Sequence, residues 1–460
     1  MDYSRREMLR RMGIGSAAGL GLWATGGRAD TTDGDPEYAG FAKNLFKVAP
    51  SMSDVPSAAI VDGKVIQPAR EIPVFHEADV VVVGGGAAGF AAAVAASRTG
   101  AKTALVERYG SLGGLFTNGM VLVIIGTGVK EDGKFRLVTR GICEEFMLRL
   151  EQMGPQAITP HPGTDKVWQP TADAEASKVL MDTMIQEAKV DLFFHAWGVD
   201  VIQAGNAVKG IVFESKQGRQ AILAKQVVDA TGDGDVYFQA GENYQQISHA
   251  MGFVFRVGNA DRIDRQKLPK ETKAPYLGNH EPIPGALWKN NLGPRGNGLD
   301  IRELTRFEMM HRKSAWEYVQ RSRKTPGHEN IFLMNTCSQI GVRATRLLDG
   351  VASIDKKEAL LGRKREDAVA VSGHDGLRHP EFAIPYGALL PKRVDNVLAA
   401  GRCISCAPDL IDRVRLIPVC FVTGQAAGVA AALAAQKNCT PRQLDVQEIR
   451  RVLREQKAYL

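Results

Sequence analysis

Gly84-Gly85-Gly86-Ala87-Ala88-Gly89 contains the spacing G-x-G-x-x-G, and an acidic residue, Glu107, follows at about the twenty-residue distance expected of a ribose-binding carboxylate. These residue types in this order suit a dinucleotide. Gly84 permits a sharp turn, Gly86 lets backbone N–H groups approach a pyrophosphate, and Ala88 and Gly89 open a helix that must pack close to its strand. The N-terminus of that helix offers its positive dipole end to the phosphates. Glu107 is then placed to accept hydrogen bonds from ribose hydroxyls.

Such groups need a strand, a helix and a second strand to hold them, and the flanking sequence supplies all three. Asp79-Val80-Val81-Val82-Val83 is a β-branched run without alternation, as in a strand buried on both faces of a parallel sheet. Phe90 to Arg98 is alanine-rich and predicts a helix, which Gly100 ends. Lys102 to Val106 predicts the second strand, closing at Glu107 and completing a βαβ unit.

At 460 residues, 44% hydrophobic and 24% charged, the chain is globular and long enough for two or three domains. No stretch reads as long and apolar enough to span a membrane, so stable membrane insertion is not expected. Ser4-Arg5-Arg6-Glu7-Met8-Leu9 resembles a twin-arginine export signal; a weakly apolar segment from Met12 to Gly27 and the small residues of Gly27-Arg28-Ala29 follow it. Residues 1–29 are therefore expected to be a signal peptide that engages the twin-arginine translocase and directs the protein to the periplasm. Losing them removes five arginines and two acids, and the formal net charge falls from +7 to +4. That is mildly basic, with no lysine/arginine block arguing for nucleic acid. Twin-arginine export carries folded cargo, which suits a protein that acquires its cofactor before it leaves the cytoplasm.

Further segments repeat the pattern of a buried strand running into a glycine turn. Arg108-Tyr109-Gly110-Ser111-Leu112-Gly113-Gly114-Leu115-Phe116-Thr117 follows the acidic strand end, and its glycines suit a loop lying against a long cofactor. Val227-Val228-Asp229-Ala230-Thr231-Gly232-Asp233-Gly234-Asp235 and Val397-Leu398-Ala399-Ala400-Gly401-Arg402-Cys403 are the other two. After Arg415-Leu416-Ile417-Pro418 a helix is predicted from about Pro418 to Lys437, with Pro418 in its first turn and Asn438 at its stop.

Together with Pro68-Ala69-Arg70-Glu71-Ile72-Pro73-Val74 and Ile384-Pro385-Tyr386, these motifs resemble the FAD-dependent oxidoreductase family of two-dinucleotide-motif flavoproteins, similar in fold to fumarate reductase and glutathione reductase type enzymes. The resemblance covers residues 68–120, 225–240 and 384–435. It implies an α/β fold: a Rossmann-like FAD-binding domain of the glutathione reductase type (GR2) with an inserted α+β substrate domain. It also implies FAD contacts at Gly84, Gly86, Ala88, Gly89, Glu107, Arg108, Gly113, Gly114, Thr117, Ala230, Thr231, Gly232, Gly401, Arg402 and Pro418. In the resembled family the helix beginning at Pro418 points at the flavin pyrimidine, where reduction leaves negative charge. This chain has Arg402 where many relatives place an acid to hold the ribityl chain. The expected organisation is a signal peptide over residues 1–29, a linker and extended lead-in over 30–75, the FAD domain over 76–240 and 381–440, a substrate or cap domain over 241–380, and a C-terminal helix over 441–460.

Catalytic candidates must be polar, close to a junction with the cofactor domain, and able to bind an anion or move a proton. Arg415, His379, His374, His249 and Arg343 are the leading ones, with Arg346 and Tyr386 beside them. Ile301 to Arg323 reads as a charged helix burying Leu304, Phe307 and Val319. Of six cysteines, Cys403 and Cys406 form one C-x-x-C, a candidate redox pair; no second pair suggests zinc or an iron-sulfur cluster, and no metal is expected. The chain has no second G-x-G-x-x-G for a nicotinamide domain. The function expected is an exported FAD-dependent dehydrogenase or oxidase, its flavin reduced directly by a small organic substrate and its electrons leaving to an external acceptor. An NAD-dependent dehydrogenase on the same βαβ unit, and a flavin-binding scaffold without turnover, are the alternatives.

Overall fold

The computed structural model describes residues 57–162, 166, 168–269, 274–373 and 381–460. The N-terminal export signal lies outside them, as do His374 and His379. The chain divides into two units, residues 1–70 and 71–460. In the first, within the stretch read as an extended lead-in, Ala59–Val61 pairs antiparallel with Lys64–Ile66. Asp62-Gly63 joins them with φ of 49° and 72°, the positive pair that a two-residue hairpin turn requires.

The second unit is built on a seven-stranded sheet. Its parallel part runs in the order Asp191–Phe194, Thr103–Glu107, Val74–Val83, Gly218–Asp229 and Val397–Ala399. Ala207–Ser215 and Trp197–Ala204 continue it antiparallel from the first half of Gly218–Asp229. The valine run extends further back than the sequence implies: the strand begins at Val74, and only its second half, Val80 to Val83, is buried on both faces. Asp191–Phe194 and Trp197–Ala204 are separate strands because His195 at φ 56° turns the chain between them.

Two helices cover one another and the sheet. Ala87–Arg98 and Ile417–Lys437 meet through small residues: a Cβ on Gly424 would lie 2.1 Å from the Ala88 carbonyl oxygen, and one on Gly428 would lie 2.1 Å from that of Ala92. Side chains larger than hydrogen would push the helices apart. The reading that no stretch could span a membrane needs correction, since Ile417–Lys437 is 21 residues long and apolar enough by composition. Its apolar character has a different cause. It is a core helix with 94% of its most apolar window buried, and a helix enclosed on every side is apolar on every side. Asn438 ends it in the left-handed conformation, φ 50° and ψ 42°, as its position in the sequence suggests.

A second core forms around an antiparallel sheet, Asn279–His280, Leu287–Gly296, His249–Gly258 and Phe332–Thr336, backed by the Ile301–Ser322 helix. Phe307 and Val319 are buried on that helix as expected, and His311 and Ala315 join them. Met120 and Leu122, which follow the glycine loop after Glu107, belong to this core, and Trp288 donates its indole N–H to the Met120 carbonyl at 2.6 Å. The chain leaving the cofactor loops is thereby stitched to the second sheet.

Candidate active site

The parallel strands end together at Val83, Glu107, Asp229 and Ala399, and the loops beyond them line one cleft. This is where an open parallel sheet binds its ligand. Gly84 turns the chain at φ 96°. A Cβ on Gly89 would lie 1.7 Å from the Gly84 carbonyl oxygen, so Gly89 serves close packing of the helix under the turn and does not itself line the cleft. Gly86 behaves differently. It has φ of −65°, open to any residue, and a Cβ there would meet nothing nearer than the Gly114 Cα at 4.0 Å. The second glycine is needed for space in the cleft, while the third is needed for the fold.

The helix that starts at Ala87 has no side-chain cap at Gly86 and no acid in its first turn, so its end N–H groups keep their free donors for an anion. The Gly113-Gly114 loop closes over the first: Gly113 N–H donates to the Gly85 carbonyl at 2.8 Å. Thr117 does not line the cleft. Its hydroxyl donates to the Leu112 carbonyl at 2.5 Å and it packs beneath Gly113, shaping the loop from behind.

Glu107 lies in the cleft wall with its carboxylate almost wholly buried. Burial raises its pKa, opposed by the backbone N–H groups of Tyr109 and Gly85, which donate to Oε1 at 2.8 Å and Oε2 at 2.6 Å. Each oxygen keeps a lone pair for a ribose hydroxyl. Beside it Arg108 reaches over the rings of Tyr109 and Trp197, at 4.8 and 6.0 Å from their centroids. Trp197, absent from the sequence-based site, is 55% exposed beside this mouth and offers a flat face. It comes from a strand start 90 residues after Glu107, and no local motif marks it.

Opposite, Ala230, Thr231 and Gly232 line the cleft, positioned by Asp229 behind them. The fully buried Asp229 carboxylate accepts from the Thr231 N–H and hydroxyl through Oδ1, and from the Val236 and Tyr237 N–H groups through Oδ2. Burial pushes its pKa up to about 6. Asp229 is an organiser that the sequence reading treated only as a strand residue; its place at the end of a buried strand before a threonine-glycine turn was the available signal.

Gly401 and Arg402 also line the cleft. Arg402 donates to the Val342 carbonyl at 2.8 Å and pairs with Asp233 at 3.3 Å, and its guanidinium lies over Gly232, whose φ is 80°. It clamps two walls together, and the acid in this corner is Asp233. Pro418 sits in the first turn of its helix, buried and out of the cleft, while Ile417 and Cys420 reach it. This helix N-terminus, too, has no side-chain cap and no acid in its first turn.

Of the catalytic candidates, Arg343 and Arg415 line the cleft. Arg415 donates through Nε and Nη2 to Asp412 Oδ1 at 2.9 and 2.7 Å, and His249 reaches the same oxygen through Nε2 at 3.3 Å. His249 does not itself line the cleft. Burial pushes the Asp412 carboxyl up, but the hydrogen bond and charge of Arg415, with His249 and Arg343, outweigh it and the net direction is down. Arg343 has its pKa lowered first by burial and then by the charge of Arg415. Arg346 is engaged elsewhere, with Asp235 at 2.8 Å and over the Phe238 ring at 4.1 Å, and Tyr386 is buried, its hydroxyl bonded to the Pro441 carbonyl. The candidate redox pair is corrected: Cys403 and Cys406 are buried free thiols outside the cleft lining. Burial holds both pKa values high, that of Cys406 at about 12, so thiolate chemistry is suppressed.

A parallel sheet with its loops gathered at one end, two uncapped helix N-termini in one cleft, and a ribose-ready acid define a dinucleotide-binding α/β protein with room for a substrate. The long loop-lined cleft fits FAD, with the glycines leaving space where a Cβ would intrude. The chain belongs to the FAD dependent oxidoreductase family, whose profile matches residues 79–453. It is thus a flavoenzyme with FAD as its cofactor, and the NAD-dependent and non-catalytic alternatives are set aside. Over 49 residues it is 53% identical to a dihydrolipoyl dehydrogenase of Trypanosoma brucei brucei, a match spanning 11% of this chain and 10% of that protein. Among solved structures, a geranylgeranyl bacteriochlorophyll reductase-like protein from Thermoplasma acidophilum is 15% identical with a TM-score of 0.42, covering 83% of this chain and 84% of that one. The myxobacterial chondrochloren halogenase is 13% identical with a TM-score of 0.44, covering 83% and 79%.

Proposed function

We propose that this protein is an exported dehydrogenase or oxidase, of the glutathione reductase and fumarate reductase type of flavoprotein, that oxidises a small organic molecule and hands the electrons to an external acceptor. The observation that carries the reading is the far end of the cleft. Away from the glycine loops it is lined by Gly252, Asn290 and Arg343 on the side of the antiparallel sheet and by Arg415 on the cofactor side, with Val254 and Val342 among them, a mixed surface suited to a small molecule. FAD supplies two-electron acceptance there. The protein's own residues do the rest: the glycine turn and the Ala87 helix hold the phosphates, Glu107 the ribose, and Arg402 joins the walls so that the pocket keeps its shape. Arg415 and the Ile417 helix terminus set the local positive potential, and Asp412 limits it.

The single G-x-G-x-x-G supports direct reduction by substrate, and Arg5 and Arg6 support export through the twin-arginine translocase to the periplasm. Anaerobic titration of the purified yellow protein with a broad metabolite panel tests the activity. Loss of absorbance near about 450 nm with one substrate class is expected; a protein whose flavin dithionite bleaches but no metabolite does would overturn it. Export is tested by fractionating cells that carry Arg5→Lys with Arg6→Lys, which should strand the protein in the cytoplasm.

A further inference from the structure

Four arginines line the cleft; two are paired with acids and a third is exposed with a neutral partner. Arg402 pairs with Asp233, Arg415 with Asp412, and Arg108 donates to Gln339 Oε1 at 3.5 Å. Arg343 is half-buried and has neither a hydrogen bond nor an ion pair among the described residues. The acids of the lining do not answer it: Asp233 and Asp235 are taken by Arg402 and Arg346, and Glu107 by backbone N–H groups. Asp412, engaged by Arg415, acts on Arg343 only at longer range, and a half-buried guanidinium without a hydrogen-bonded counter-charge gains from an anion that completes it.

The groups that could hold that anion meet beside Gly252. Gly252 carries no side chain where a Cβ would lie 3.7 Å from Arg343 Nη2 and 2.9 Å from Asn290 Oδ1. Arg343 and the exposed carboxamide of Asn290 therefore flank the same stretch of strand at Gly252, where a side chain would crowd the carboxamide. The planar fork of Arg343 takes a carboxylate through two parallel hydrogen bonds, and the exposed Asn290 side chain, which presents Oδ1 here, can turn its Nδ2 donors toward it.

We propose that the substrate is a carboxylate, its anionic group held by Arg343 with Asn290 at its side. Arg108 is exposed and Arg402 and Arg415 have acids, so the half-buried Arg343 offers one unpaired positive charge, which favours a carboxylate over a phosphate dianion. The proposal rests on the reading of this end of the cleft as the substrate end. In it Arg343 is a binding residue, and Arg415, already matched by Asp412, contributes long-range attraction.

The test uses the purified holoprotein and two readouts, calorimetry and the perturbation of the oxidised flavin spectrum, with acetate, propionate, malonate and benzoate, each against its primary amide, and with inorganic phosphate. The acids should bind at least about tenfold more tightly than the amides. Arg343→Gln should raise the acid Kd by about tenfold to a hundredfold, leave the amide Kd unchanged, and retain wild-type FAD content and Tm; Arg343→Lys should recover part of the loss. Equal binding of acids and amides, unchanged acid binding in Arg343→Gln, or binding of phosphate alone would each overturn the proposal. Failure of the broader reading shows separately, as a protein without flavin or with flavin that no metabolite reduces, because calorimetry of carboxylate binding needs no turnover.

Discussion

Two helices enter the cleft by the same device and differ in what stands beside them. Ala87–Arg98 and Ile417–Lys437 both begin without a side-chain cap and without an acid in the first turn, so each leaves its N–H groups to a ligand. At the first, everything nearby is glycine and backbone: Gly84, Gly86, Gly113 and Gly114. At the second, the neighbours are Arg415, Asp412, Arg343 and Arg402, charges that partly cancel. The first end is a shape that accepts a fixed diphosphate. The second is an electrostatic setting that can be tuned.

The comparison breaks most sharply at the glycines. Gly86→Val should abolish FAD retention while leaving the Tm of the flavin-free protein near that of the wild-type apoprotein, because the new side chain points into open cleft. Gly89→Ala should do the reverse in order of cause, lowering the Tm of the apoprotein itself, since its methyl carbon would lie 1.7 Å from the Gly84 carbonyl oxygen. Absorbance and calorimetry on the two variants decide it; equal Tm losses would erase the distinction between cleft space and packing.

A smaller effect belongs to the second helix. Arg415→Ala removes a positive charge and should lower the two-electron potential, and Asp412→Asn should raise it. Because Asp412 already neutralises Arg415, each shift should be about 10 to 30 mV, below the range of an unneutralised charged hydrogen bond. Potentiometric titration checks both signs, and two shifts of the same sign would show that the pair does not act on the flavin.

A last effect, on stability and not on the flavin, is in pH. The Asp229 pKa is raised by burial to about 6 in the folded protein, above its ordinary 3.8, so the folded state binds the extra proton between those values. Its contribution to stability is therefore full below about pH 4 and is lost as pH rises through about 6, at a cost on the order of 1 to 3 kcal/mol at neutral pH. The Tm difference between wild type and Asp229→Asn should narrow or change sign between pH 5 and 7 on thermal unfolding. A pH-independent difference would mean that Asp229 does not titrate there.

The phosphate end was legible in the chain because its requirements are local. A turn with positive φ, a position without a Cβ and an acid one strand later fall within thirty residues, and each constrains residue type directly. Pro418 and Asn438 marked the long helix for the same reason, as did the spacing of Phe307 and Val319 on the Ile301 helix. The sequence alone thus determined the βαβ unit, its cofactor class and the loops that return to it.

The other end was decided by tertiary structure. Arg343 and Arg415 are alike in the sequence, and only the packing of two cores shows that one is matched by Asp412 and the other left open. Trp197, Asn290 and Gly252 reach the cleft from strands far along the chain from the glycine motif, so no spacing announced them. Cys403 and Cys406 have the spacing of a redox pair, yet burial, which a spacing does not encode, leaves both as inert thiols. Local backbone demands are written into residue types one at a time; charge balance and solvent exclusion are sums over segments that meet only when the chain has folded.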